Sequence, residues 1–227
     1  MGSDDLVFSD SARQCRLLLV VTRFVQRVLL ISFCALVLPV VGKATVPLVE
    51  KARQQIGVTT GYDPAYKKIA YPGGDVSKKT GVCSDVVVRA FRGLSIDLQK
   101  EVHEDMTRAF DQYPRKWGLK RPDSNVDHRR VLNLMTYFQR QGWAVPVSKK
   151  VGDFQAGDIV AWDLGGSVTH VGIVSDRHSA EGTPLVIHNI GRGAQEEDIL
   201  FQHEIIGHYR PRLSKTTTEN APHSAAP

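Results

Sequence analysis

A cysteine and two histidines are the residues of this chain whose types and spacing suit chemistry. Cys83 stands near the start of GVCSDVVVRAFRGL, residues 81–94, where Val86, Val87, Ala90, Phe91 and Leu94 recur at the spacing of a helix buried along one face. The thiol is thereby predicted in the first helical turn. Unsatisfied backbone N–H groups and the positive end of the helix dipole favour an anion there, so a pKa below the ordinary value of about 8.5 is expected. The competing reading of Cys83 is a small buried hydrophobe, since free cysteines are among the most buried residue types. In VTHVGIV, alternation sends Val168, His170, Gly172 and Val174 to one face of a strand and Thr169, Val171 and Ile173 to the other. The run LVIHN carries His188 eighteen residues after His170, and a hairpin of that length sets the two imidazoles side by side. A thiol nucleophile needs a base within hydrogen-bond reach, and the base needs a polar partner on its other ring nitrogen. Cys83, His170 and one of the neighbours His188 and Asn189 supply those parts. His188 and Asn189 point to opposite faces of their strand, so only one of them reaches His170.

The elements that must position these residues fall into two halves. VPLVEKARQQIGV reads as a short helix ending near Gly57. A loop rich in Gly, Pro, Asp and Tyr, with its strongest turn signal at Pro72, Gly73 and Gly74, leads from it to Cys83. Beyond Gly93, DLQKEVHEDMTRAF starts at a capping aspartate, Asp97, and predicts a second helix. VDHRRVLNLMTYFQRQG predicts a third, with Val131, Leu134, Met135 and Phe138 as its stripe. From Trp143 onward β-branched runs separated by Gly and acidic turns predict strands at WAVPVS, DIVAWDL, VTHVGIVSD, PLVIHNI and FQHEIIGHYR. Helices first and closely spaced strands after them argue for an α+β fold with an antiparallel sheet.

The first 44 residues have the composition of an export signal. Arg13, Arg16, Arg23 and Arg27 precede the uncharged run VLLISFCALVLPVVG, and Gly42, Lys43 and Ala44 form a small-residue exit, so cleavage is expected after Ala44. An uncleaved anchor is the alternative, although Arg23, Gln26 and Arg27 interrupt the apolar stretch. The expected organisation is a signal at 1–44, one domain at 45–212 and a disordered tail at 213–227, in a protein exported to the periplasm or cell envelope. Five of the 29 basic and three of the 24 acidic residues lie in the first 44. The remaining balance of +3 is too mild to argue for nucleic acid, and it tolerates an anionic cell-wall polymer. Cys15 and Cys34 fall in the signal, which leaves Cys83 as a single thiol in an oxidising compartment, unable to form an internal disulfide.

Taken together, YPGG at 71–74, CS at 83–84, AGDIVAW at 156–162, HVGIV at 170–174 and VIH at 186–188 resemble the NlpC-type papain-like cell-wall cysteine peptidases. The helical insertion between Cys83 and Gly157 and the segment GRGAQEED after His188 look more like the YijF-like bacterial family of domains of unknown function. The resemblance implies a papain-like α+β fold in which Cys83 attacks, His170 transfers the proton and His188, ending the Val-Ile-His run, orients His170. It also implies that Tyr71, twelve residues before Cys83, helps bind the oxyanion. Two departures stand beside the cysteine: Val82 replaces the family's usual Asp, and Asp85 replaces a small residue. Asp85 is expected to pair with Arg89 one turn on.

These residues predict an exported cysteine hydrolase of an amide or peptide bond, with peptidoglycan stem peptides as the substrate class and no cofactor. Arg192, between Gly191 and Gly193, is a candidate clamp for a substrate carboxylate, with Ser84 and Asp85 as further candidates for substrate contact. Two other classes compete. One is a zinc amidase built on His170, His188 and a carboxylate such as Asp163, although no HExxH or paired-cysteine spacing is present. The other is a wall-binding module of the same fold, catalytically dead because Asp85 blocks the site.

Overall fold

The computed structural model describes residues 46–213, so the expectations for the export signal and for the tail from residue 214 lie outside the described residues. Helix α1 (Pro47–Arg53) is followed by two short strands, β1 (Gly61–Tyr62) and β2 (Thr80–Gly81), which pair in parallel. Helices α2 (Cys83–Arg92), α3 (Leu98–Arg108) and α4 (Val131–Arg140) come next. The back half contributes β3 (Ile159–Asp163), β4 (Thr169–His178), β5 (Pro184–His188), β6 (Gln195–Glu197) and β7 (Glu204–Tyr209). These form one antiparallel sheet in the order β6-β5-β4-β3-β7. The fold is therefore α+β, with the cysteine on the first turn of a helix and the histidines on the sheet.

The predicted periodicities account for the packing. Val86, Val87, Ala90 and Phe91 of α2 are fully buried, and Phe91 stacks against Phe138 of α4 and against Trp143, with ring centroids 6.2 and 5.8 Å away. Burying a side chain of that size stabilises by roughly 1.5–3 kcal/mol. The helices pack on the sheet face made by Ile159, Ala161, Val171, Ile173 and Ile187. The opposite face carries a separate apolar cluster that includes Val160, Trp162, Val174, Val186 and Leu200. Asp97 caps α3 by accepting from the Gln99 N–H at 3.2 Å.

Three expectations need correction. The third helix does not run from residue 126: a 3₁₀ turn at Asp127–Arg129 precedes α4, and Arg130 between them is extended. The Arg129 side chain is drawn into a buried ion pair with Asp85, and the Asp127 carboxylate folds back on the Asp123 N–H. WAVPVS is not a strand. Ala144 makes one isolated bridge to Tyr209, and Pro146 has no N–H with which to extend the ladder. In turn, β6 is a strand that no apolar alternation announces, because its residues are Gln195, Glu196 and Glu197.

Candidate active site

Cys83 is the first residue of α2 and is 5% exposed. The helix start is held by Asp85, whose carboxylate accepts from the Val82 N–H at 2.6 Å, one half of a capping box. Strand β4 bonds to the β3 side through its even-numbered residues, as in Val174 N–H to the Asp158 carbonyl at 2.8 Å. Its odd-numbered residues therefore face β5, which ends at His188, one step past the Ile173–Ile187 pair. The N–H of Val171 lies at that free edge, close enough to the Cys83 sulfur to favour its thiolate. The thiol thus sits against the backbone one residue beyond His170.

Histidines 170 and 188 lie on the sheet face away from α2. His170 stands opposite Trp162, its ring 5.7 Å from the indole. Its Nε2 is 3.0 Å from Nδ1 of His188, with the two rings nearly perpendicular at 86°. The approach is diagonal across β4 and β5, and Gly172 permits it: a Cβ there would lie 2.5 Å from Val186 Cγ1 and 3.1 Å from His188 Cβ. On the far side, Nε2 of His188 is 3.0 Å from Oε2 of Glu197. The free ring nitrogen of His170 is Nδ1, and among the described residues no hydrogen bond joins it to Cys83.

Electrostatics correct the expectation of a lowered thiol pKa. Burial pushes the Cys83 thiol up to about 11, and the Asp85 carboxylate adds to the rise. The N–H groups of Val171 and Ser84 oppose the rise without reversing it. Burial, helped by His188 and His203, holds His170 down to about 3. At neutral pH the pair is a neutral thiol and a neutral imidazole.

Several other predicted site residues stand elsewhere. Tyr71 is not beside Cys83: its ring packs edge-on against His103 of α3, centroids 4.9 Å apart. YPGG docks on the start of α3, where the Gly73 N–H donates to Asp97 at 2.7 Å and the Gly74 N–H to Gln99 at 2.8 Å. Ser84 is fully buried and donates to the Arg129 carbonyl at 2.6 Å, so it does not face a substrate. Asp85 neither blocks the site nor pairs with Arg89. Its two oxygens take Nε and Nη2 of Arg129 at 2.9 Å each, while Arg89 turns to Asp75. The same Arg129 guanidinium holds the carbonyls of Asp63 and Ala65, both at 3.2 Å. Arg192 is exposed and pairs with Glu197. Asn189 is a clip: its Nδ2 donates to the carbonyls of Gly61 and Gly81, at 3.1 and 3.0 Å, bracketing β1 and β2, and it is His188 that bonds to His170.

The residue that sequence reasoning missed is Tyr62. It pairs with Gly81, two positions before the cysteine, and lines with Cys83 a cavity of about 290 Å³. Burial raises its phenol pKa, and the charge of a Cys83 thiolate raises it further. The signal was a Gly-Tyr pair 21 residues before Cys83, less conspicuous than YPGG because a loop from 63 to 79 intervenes. Trp117, Arg130, Lys116 and Thr169 line the same cavity, with Arg130 stacked 4.4 Å above the Trp117 ring. Its lining holds three cationic side chains and no carboxylate. As for the zinc reading, both ring nitrogens of His188 are engaged, and among the described residues no three of His, Cys, Asp and Glu group to hold a cation.

The chain is 57% identical over 174 residues to the uncharacterized protein YijF of Escherichia coli (strain K12), covering 77% of this chain and 85% of that one. A solved structure of a protein similar to lipoprotein of the NLP/P60 family, from Staphylococcus aureus subsp. aureus Mu50, is 13% identical with a TM-score of 0.34. The match covers 74% of this chain and 44% of that one, so the chain spans less than half its length. A family model described as a domain of unknown function, DUF1287, matches residues 49–211, and with most of its length inside that match the chain belongs to this family.

Proposed function

We propose that the chain is an exported cysteine hydrolase of amide or peptide bonds, acting on the peptide stems of peptidoglycan. The observation that carries the reading is a cysteine on the first turn of a buried helix, next to the backbone of Val171, the residue that follows a histidine bonded to a second histidine. Cys83 attacks the carbonyl carbon as its proton passes to Nδ1 of His170, the ring nitrogen that His188 leaves free. The oxyanion forms between the Cys83 N–H and the Tyr62 hydroxyl. The imidazolium returns the proton to the departing amine, leaving a thioester on Cys83. Water, deprotonated by His170, then releases the acid and restores the thiol. Lys116 on the lining supports a substrate that carries a carboxylate near the scissile bond, Arg129 and Arg130 being paired with Asp85 and Asp127.

Mass spectrometry of muropeptides after digestion tests this. The wild-type protein should release new fragments and Cys83→Ala none, with both proteins equally folded; equal fragment patterns reject the reading. A second reading, a wall-binding module without activity, is favoured by the raised thiol pKa and by the missing Cys83–His170 bond. Binding to intact sacculi with no fragments released from them would establish it.

A further inference from the structure

We propose that Glu197, on the edge strand β6, is a positioning residue that acts through His188 to keep Nδ1 of His170 unprotonated and ready to take the Cys83 proton. The transfer of the Cys83 proton, and with it turnover, rests on the hydrolase reading; the tautomers do not. Strand register builds the chain of contacts. Val186 stands opposite Glu197, so Glu197 is the diagonal neighbour of His188, as His188 is of His170. The three polar side chains thus step across β4, β5 and β6 on one face of the sheet, each two residues out of register with the last. Long side chains reach across that offset.

Hydrogen-bond chemistry then decides every proton. An ionised carboxylate only accepts, so at 3.0 Å from Glu197 the His188 Nε2 must carry hydrogen. Burial lowers the His188 pKa even against Glu197, and a neutral imidazole has one N–H. Its Nδ1 is consequently an acceptor, and Nε2 of His170, 3.0 Å away, is the donor. Nδ1 of His170 is left with a lone pair. With Glu197 removed, His188 is free to carry its hydrogen on Nδ1 and donate to His170, which then bears hydrogen on Nδ1 and cannot act as base. Arg192 holds Glu197 from the solvent side. Glu196, the next residue back, faces the other way and ties Arg53 of α1 at 2.9 Å and Ser175 at 2.5 Å, so it is a control on the same strand.

Histidine tautomers of the full chain, read at neutral pH from long-range 15N–1H correlations with His170 and His188 assigned, test the proposal directly. In the wild type both should be Nε2–H. In Glu197→Gln, which has nearly the same shape and keeps the fold if Glu197→Ala does not, His188 should populate Nδ1–H. Glu196→Gln should leave both tautomers in place. Muropeptide turnover in Glu197→Gln should fall about 10- to 100-fold in kcat with KM within about twofold. Two results would overturn the proposal: Nδ1–H on His188 in the wild type, or unchanged tautomers in both Glu197 variants. A wild type that cleaves no muropeptide while its tautomers respond to Glu197 rejects the hydrolase and leaves the positioning role standing.

Discussion

The two faces of β4 are made for different tasks. Toward the helices, Val171 and Ile173 join a continuous apolar core under α2. Away from them, His170 lies beside Trp162 and begins a run of imidazoles and a carboxylate. The thiol belongs to the first face and its prospective base to the second. Between them β5 stops at His188, leaving an open edge where the Val171 backbone acts on the sulfur. The helix side can tolerate little that is not apolar, whereas the histidine side depends on every polar group having its partner. Catalysis of the kind proposed draws on both, and perturbing one face at a time separates packing from chemistry.

The largest effect is expected on the helix side. Asp85→Ala leaves the Arg129 guanidinium buried without its carboxylate and should cost about 3–5 kcal/mol of stability in urea unfolding. A cost under about 1 kcal/mol would mean that the pair does not hold the start of α2. Next in size, Tyr62→Phe should lower kcat about 100-fold by removing one oxyanion donor, while Tyr71→Phe stays within about twofold. The reverse order would return the oxyanion role to the YPGG loop.

On the histidine side, Gly172→Ala places a methyl group 2.5 Å from Val186 Cγ1 and against His188. Overpacking of this kind costs about 1–3 kcal/mol, and His188 should be displaced enough to lower kcat about tenfold. Unchanged turnover in a folded Gly172→Ala protein would show that close approach of His188 to His170 is not needed.

The smallest effect at neutral pH, and the sharpest contrast between the faces, concerns titration. Burial holds His170 to about 3 and His128, next to Arg129, to about 4. Between those values and the ordinary 6.5 the unfolded chain binds protons that the folded chain does not. Stability is therefore full above about pH 6.5 and lost progressively as pH falls toward 3. Thermal melts should fall over that window, and His128→Phe should flatten the upper part of the curve. Cys83 has the opposite sign, its folded pKa lying near 11. Alkylation by iodoacetamide should climb through pH 9 to 11, and a plateau below pH 7 would reveal a preformed thiolate.

Much of this was legible in the residues. The stripe through Val86, Ala90 and Phe91 placed the cysteine at a helix start, and the alternation in VTHVGIV put His170 and Gly172 on one face. The spacing of His170 and His188 anticipated their contact. What failed did so where a long-range partner overrides local pattern. Arg129 breaks the expected helix to reach Asp85, 44 residues earlier. YPGG is the loudest turn signal in its loop, yet it serves the start of α3.

By itself the sequence determined which residues form helices, which form strands and which side of each is apolar, because those are matters of period within a dozen neighbours. It also brought together a thiol and two imidazoles as the groups able to do chemistry. Only the tertiary structure decided that Tyr62 and not Tyr71 stands by the thiol, since the parallel pairing of β1 and β2 closes over the intervening loop. The same holds for Glu197, whose strand has no apolar pattern and exists through its bonds to β5. Protonation, too, was decided there: a helix start favours a thiolate, but desolvation under a packed sheet edge opposes the charge more strongly, and that burial is a property of the whole fold.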